Sequence, residues 1–147
     1  MSDEKSALPA RLQEIIEDFG DCLGQEKLEY LLEFAESLPP LPERLQGQQA
    51  AMDQVHECIT PIFIHAELDN GGMMYYFDVP PEGPTVRGFA EIMRQGVNGL
   101  APDAVLRIPG EFYLQMGLQA VLSGQRLNGI SAILAHMKQL ALPFNDG

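Results

Sequence analysis

Residues 62–79 read IFIHAELDNGGMMYYFDV, and this segment decides the fold class. Two runs rich in β-branched and aromatic residues flank an Asn-Gly pair, which is the strongest short-range signal for a hairpin turn. The segment therefore predicts an antiparallel hairpin with strands at 62–68 and 73–79. His65 then lies on the same strand face as Glu67, because side chains alternate along a strand.

Helical periodicity dominates on both sides of this hairpin. Before it, residues 12–19 and 25–38 space their apolar side chains for two amphipathic helices, which we expect to pair as a helical hairpin. The proline-rich stretch 38–42 ends the second helix and predicts a stiff connector. After the hairpin, the pattern predicts helices at 85–95, 102–107, 111–122 and 127–142. A short strand pair among helices indicates an α+β fold, with helices packed around a short antiparallel sheet.

Length and composition indicate one domain over residues 1–147. The chain is 46% hydrophobic, which allows a core without disulfides or metal. The formal net charge is -12, and an acidic surface repels phosphate backbones, so nucleic acid is an unfavourable partner. No apolar run reaches the length of a membrane span, and the charged N-terminus lacks a signal peptide. We therefore expect a cytoplasmic protein whose two cysteines, Cys22 and Cys58, are free thiols.

Residues 54–61 (QVHECITP) place Cys58 between a polar linker and the first predicted strand. A thiolate is the strongest nucleophile available to a side chain near neutral pH, and loops commonly carry reactive groups. His56 would lower the pKa of the thiol through its charge and Glu57 would raise it, so the sequence leaves the net effect open. The alternative for an isolated free cysteine is a small buried hydrophobic residue. We take Cys22 as structural.

Other chemistries find less support in the sequence. The chain has three imidazoles, His56, His65 and His136, and none stands in a motif typical of Cys-His hydrolases. His56, Cys58, His65 and a carboxylate could supply zinc ligands, but the paired spacings of zinc motifs are absent. No glycine-rich phosphate loop is present. We expect the chain to carry no cofactor. Arg126 begins the sequence RLNG, which indicates either a solvated turn between two helices or a cation that faces a partner carboxylate.

From its first helix to Ala141, the chain resembles the SufE family of sulfur-acceptor proteins. Several segments carry the resemblance in the family's order, which makes the set specific although each piece alone is weak. These segments are YLLEF at 30–34, LPPLP at 38–42, the cysteine segment 55–63, VRGF at 86–89, and Gly117, Leu118, Leu122, Arg126, Asn128 and Gly129 near the C-terminus.

The resemblance implies a fold like those of SufE and IscU, and a function. Cys58 would take the terminal sulfur from a persulfide on a SufS-type cysteine desulfurase and pass it to an iron–sulfur cluster scaffold, stimulating the desulfurase. The pyridoxal phosphate belongs to the desulfurase, so the protein would be a transfer partner and not a stand-alone enzyme. We assign Arg126, His56 and Asp78 to partner binding, since Arg126 matches the family's arginine near the reactive loop. Monomer and homodimer both stay open.

The cysteine segment also departs from the family pattern. Glu57 stands where the family has a glycine before the cysteine, and Phe63 takes the place of a tryptophan, which marks a divergent branch. We expect Cys58 to rest against apolar side chains, either Phe63 or residues of the last helix, and the loop to swing out when the desulfurase docks. The alternative is an acidic adaptor that binds a desulfurase or another protein without carrying sulfur.

Overall fold

The computed structural model of the protein describes residues 8–145, in which five α-helices pack around a three-stranded antiparallel sheet. The helices are α1 (Ala10–Gly20), α2 (Gln25–Ser37), α3 (Pro84–Val97), α4 (Pro102–Leu106) and α5 (Gly124–Ala141). The strands are β1 (Asp53–Gln54), β2 (Phe63–Asp69) and β3 (Gly72–Asp78), and they lie in the order β1-β2-β3. The predicted α+β class is confirmed. Among the residues described, no helix is both long and apolar enough to cross a membrane.

The predicted hairpin is present, and its turn sets the strand register. β2 pairs with β3 so that Phe63 lies opposite Asp78 and Asp69 lies opposite Gly72. Asn70 and Gly71 have φ angles of 52° and 83°, the left-handed values that a two-residue turn between twisted strands requires. One face of the pair is buried in the core, and its members are Ile64, Met73, Tyr75 and Phe77.

The third strand, β1, lies in the polar stretch that the sequence analysis treats as a linker. Asp53 lies opposite Ile64 and Gln54 opposite Phe63. The Val55 amide then donates to the Ile62 carbonyl at 2.9 Å, which continues the pairing beyond the strand itself. The polar composition conceals this strand because only two residues pair and both are partly exposed. Its effect is to fix both ends of the loop that carries Cys58.

Helices α1 and α2 both pack on α3, and more extensively than on each other. They do meet as predicted, through Phe19 of α1 and Tyr30 of α2, whose ring centroids lie 4.6 Å apart. The α2–α3 crossing is close because position 88 is a glycine. A Cβ there would lie 2.3 Å from the Leu31 carbonyl oxygen, which is too short for any side chain.

Near the C-terminus, one helix prediction is wrong, and the last predicted helix is present but begins earlier. The helix predicted at 111–122 is two short 3₁₀ turns, Phe112–Met116 and Leu118–Ala120, because Gly117 between them adopts a left-handed φ of 76°. The last helix begins at Gly124 and not at position 127. The Ser123 side chain caps it by accepting a hydrogen bond from the Arg126 amide at 3.2 Å. Arg126 therefore lies in the first turn of α5, not in a turn between helices.

Candidate functional site

The loop between β1 and β2 holds Cys58 against the N-terminal half of α5. The Val55–Ile62 backbone hydrogen bond closes the base of the loop. Within it, the Cys58 amide donates to the Val55 carbonyl at 3.3 Å, which forms a tight turn at the cysteine. We call residues 55–62 the Cys58 loop. Strands β1 and β2 hold the two ends of this loop in the sheet.

Cys58 is partly buried and packs against the hydrophobic core. Its Sγ atom lies against the backbone of Gly129, where a Cβ would be only 2.8 Å away. The predicted contact with the last helix is therefore present, and the glycine is what makes room for the sulfur. Phe63 does not line this pocket. The pocket measures about 160 Å³ and is lined by Cys58, Ile59, Thr60, Glu82, Val86, Ser123, Gln125, Arg126 and Gly129.

This environment keeps the thiol protonated. Burial, and secondly the charge of the adjacent Glu57 carboxylate, raise the pKa of the Cys58 thiol to about 11. The sequence left open whether His56 would lower the pKa of the thiol or Glu57 would raise it. In the folded chain Glu57 raises it. His56 is exposed on the loop. The thiol at rest is therefore sheltered and weakly nucleophilic, because the thiolate is the reactive form.

Arg126 brings a cation to the same pocket. Its Nη1 atom donates to the Thr85 hydroxyl at 2.9 Å, which ties the first turn of α5 to the first turn of α3. Thr85 is only 7% exposed, so this hydrogen bond holds one end of the guanidinium while the residue as a whole stays exposed. Of the residues that the sequence assigned to partner binding, Arg126 is the one that lines the Cys58 pocket.

A second contact between the loop and α5 involves His136, which the sequence analysis left without a role. Its Nε2 atom lies 3.0 Å from Glu57 Oε1 and its Nδ1 atom 2.5 Å from Asp53 Oδ2. Burial pulls the pKa of His136 down, but the hydrogen bonds to Asp53 and Glu57 outweigh it and raise the pKa overall. No local signal in the sequence could have found this cluster, because His136 is 79 positions from Glu57.

The remaining predicted residues lie elsewhere. Asp78, at the end of β3, accepts a hydrogen bond from Gln49 at 2.6 Å and lines a different groove beside the proline-rich connector. His65 interacts with Glu67 at 3.0 Å on the sheet, as their shared strand face predicts. Cys22 follows α1, and its thiol reaches the Asp18 carbonyl at 3.5 Å.

Both cysteines are free thiols, as predicted. Within residues 8–145, no group of three His, Cys, Asp or Glu side chains is arranged to hold a metal ion. The chemistry that the described residues offer at this site is therefore that of a sheltered thiol in a pocket that Arg126 also lines, on a loop that a histidine ties to α5.

Comparison with known proteins identifies the family. The family model described as "SufE: Fe-S metabolism associated domain" matches residues 13–141. An uncharacterized SufE-like protein of Mycobacterium tuberculosis is 42% identical over 135 residues, which cover 91% of this chain and 93% of that protein. The solution structure of a hypothetical protein from Thermus thermophilus superposes with a TM-score of 0.81 at 35% identity, covering 92% of this chain and 96% of the other.

A more distant relative, the cysteine desulfuration protein SufE of Plasmodium vivax, is 24% identical over 102 residues, which cover 68% of this chain and 39% of that protein. The chain belongs to the SufE family, whose domain is associated with iron–sulfur metabolism.

Proposed function

We propose that the protein accepts sulfur from a cysteine desulfurase on Cys58, delivers it to an iron–sulfur cluster assembly scaffold, and thereby stimulates the desulfurase. The observation that carries this proposal is the packing environment of the Cys58 thiol. Cys58 Sγ lies against Gly129 in a small pocket, on a loop that is paired at its ends and tied to α5 by the contact of Glu57 with His136. The Plasmodium vivax relative is named a cysteine desulfuration protein, which supports the same chemistry.

The transfer is a thiol–persulfide exchange. The Cys58 thiolate attacks the terminal sulfur of the persulfide on the desulfurase cysteine, so a new S–S bond forms on Cys58 as the donor S–S bond breaks. The desulfurase cysteine leaves as a thiolate, and the proton of Cys58 passes to solvent or to the partner. No net oxidation occurs, since the zero-valent sulfur only changes its carrier.

The pKa of about 11 for Cys58 gives the loop a role in this step. A thiol that is protonated in its pocket exchanges slowly, so the loop must carry the sulfur into a more polar surrounding for transfer. Docking of the desulfurase would supply that change by drawing the loop outward. When the loop returns, the pocket shelters the persulfide from stray thiols and oxidants.

Three features at the pocket serve the partner interface in this proposal. Ile59, next to the cysteine, is 77% exposed and offers an apolar contact at the tip of the loop. Arg126 lines the pocket mouth and can pair with the anionic persulfide or with a partner carboxylate. His56 is exposed on the same loop. Asp78 lines a separate groove, so it is left out of the proposed interface.

The surface charge and the free thiols fit this role. A net charge of -12 steers the protein toward basic patches on other proteins. Free cysteines are the ordinary state in a reducing compartment such as the cytoplasm, where we place the protein.

The test compares desulfurase stimulation by Cys58→Ser and Cys22→Ser. Cys58→Ser should abolish stimulation while its binding to the desulfurase, followed by calorimetry, stays close to that of the parent. Cys22→Ser is the matched control and should stimulate normally. Normal stimulation by Cys58→Ser would instead favour the adaptor that binds without carrying sulfur.

A further inference from the structure

The cluster of Asp53, Glu57 and His136 joins the Cys58 loop to the scaffold at one point. Asp53 belongs to β1, Glu57 immediately precedes the cysteine, and His136 lies on α5. Each ring nitrogen of His136 faces a carboxylate oxygen, at 2.5 Å to Asp53 and 3.0 Å to Glu57. The histidine side chain is 16% exposed, whereas the Glu57 side chain is 48% exposed. The imidazole is thus fixed on the helix, and the carboxylate is the part that can leave.

The geometry requires a charged ring. A neutral imidazole has one N–H donor and one lone pair, so it can donate to only one of two carboxylates. The imidazolium has two donors and satisfies both. Losing its proton leaves a lone pair facing a carboxylate, which removes one of the two hydrogen bonds.

We propose that His136 is a positioning residue that holds the Cys58 loop closed by donating from both ring nitrogens, to Asp53 and to Glu57. The inference rests on the proposed function, because a loop that must deliver sulfur needs a releasable hold. His136 touches neither the thiol nor a substrate. It acts through Glu57, whose displacement carries the neighbouring cysteine away from Gly129.

The direction of the pH effect follows from the same cluster. The pKa of His136 is raised above its ordinary 6.5, with burial opposing and the two carboxylates prevailing. The pKa of Glu57 is lowered, by a backbone hydrogen bond and then by His136 and the nearby His56, so Glu57 stays ionised. The other basic group near this end of α5, Lys138, is committed to the Ile108 carbonyl. The closed loop is therefore fully stabilised below the ordinary histidine pKa and loses that contribution as pH rises through the raised one.

The test measures how fast a methanethiosulfonate reagent modifies Cys58 in a Cys22→Ser background, without any desulfurase. At about pH 6, His136→Gln should react roughly threefold to fivefold faster than the parent, the size expected for a partly exposed ion pair. The ratio of the variant's rate to the parent's should fall toward one as pH rises through the raised pKa of His136, because the parent imidazole then also becomes neutral. Comparing variant and parent at the same pH cancels the intrinsic pH dependence of thiol chemistry.

Three further variants separate positioning from general damage. His136→Lys keeps a cation with several donors, so it should react as slowly as the parent at about pH 6. As pH rises and the parent imidazolium loses its proton, His136→Lys should become slower than the parent measured at the same pH. Asp53→Asn leaves the helix untouched and should move the onset of loop release to lower pH. His65→Gln, the same substitution at a histidine that pairs with Glu67 outside the cluster, should leave the ratio at one.

Equal reactivity of His136→Gln and the parent at about pH 6 would overturn the proposal. If His136→Gln fails to fold, an unchanged pH profile in Asp53→Asn would overturn it in its place. Loss of sulfur transfer in a separate assay would count against the proposed function and leave this measurement intact, because the reagent reports loop closure alone.

Discussion

The two cysteines of this chain show how differently one fold can treat the same side chain. Cys58 lies between a loop and α5, with its sulfur against a glycine and a guanidinium at the mouth of its pocket. Cys22 follows α1 on a surface rich in carboxylates, and its thiol contacts a helix-end carbonyl. Both thiols are free and both have a raised pKa, through burial first in each case. The difference lies in what surrounds them.

The two thiols differ in how the surrounding protein covers them. At Cys58, glycine at position 129 and the anchored ends of the loop create room that a side chain would otherwise fill. Cys22 lines a groove formed mostly by acidic side chains, and burial together with neighbouring acidic groups disfavours its thiolate. In this account, a free cysteine is a candidate sulfur carrier only where the fold provides a pocket that protects the thiol and a loop that can expose it to a partner.

The largest expected effect is on thiol reactivity at neutral pH. A pKa of about 11 instead of the ordinary 9.0 lowers the thiolate fraction of Cys58 about a hundredfold. In Cys22→Ser protein, alkylation of folded Cys58 should be slower by about that factor than in urea-unfolded chain. Because the folded pKa is the higher one, the associated stability is present below the ordinary pKa and lost as pH rises toward 11. Mass spectrometry measures the alkylation rates of the folded and the unfolded protein. Equal rates would show that the pocket does not protect the thiol.

The next effect concerns the seat of the sulfur. Gly129→Ala places a methyl group 2.8 Å from Cys58 Sγ, so the thiol or its loop must shift outward. Alkylation of Cys58 should then rise about tenfold, since overpacking of this kind costs typically ~1–3 kcal/mol.

Gly124→Ala is the matched control, because no atom lies within 4 Å of a Cβ at that position of the same helix. Cys22 in the same sample should react at an unchanged rate. Acceleration at both cysteines would indicate general loosening of the fold and not the loss of a specific seat.

A smaller effect is expected from the guanidinium. Arg126→Gln removes the cation beside the pocket, and the rate at which Cys58 receives sulfur from a desulfurase should fall about threefold. Arg107→Gln is the control: Arg107 is exposed at the end of α4 and pairs with Asp103 at 3.7 Å. Single-turnover transfer measured for both variants distinguishes a role at the pocket from a general effect of charge. Equal rates for the two would remove Arg126 from the transfer step.

The smallest effect is on stability. Cys22→Ser alters a partly exposed side chain whose hydrogen bond, to the Asp18 carbonyl, is a weak one. The free energy of unfolding in urea should therefore change by less than about 0.5 kcal/mol. A loss several times larger would show that Cys22 has a packing role and would weaken the contrast between the two thiols.

How much the sequence could predict depended on whether the signal was local. The hairpin at 62–79 followed from the Asn-Gly pair, and the fold class followed from the hairpin. The helix predicted at 111–122 failed although its breaker, Gly117, was visible in the sequence, because the apolar spacing of its neighbours fits a helix equally well.

Two residues of the candidate site could be predicted from the sequence, and the residues that contact its loop from the last helix could not. Cys58 and Arg126 stand out by residue type and family resemblance, and the pocket brings them together. The contacts of Gly129 with the sulfur and of His136 with Glu57 join positions more than 70 apart, where no spacing rule applies. Asp78, assigned to partner binding from the sequence, lines a different groove, and that assignment stays a prediction.

The most direct test of the carrier role is mass spectrometry of the unmodified protein after incubation with a cysteine desulfurase and free cysteine. Added mass in steps of one sulfur atom, located on the peptide that contains Cys58 and removed by a reductant, is the predicted result. Sulfur found on Cys22 instead, or on neither cysteine while the desulfurase is active, would contradict it.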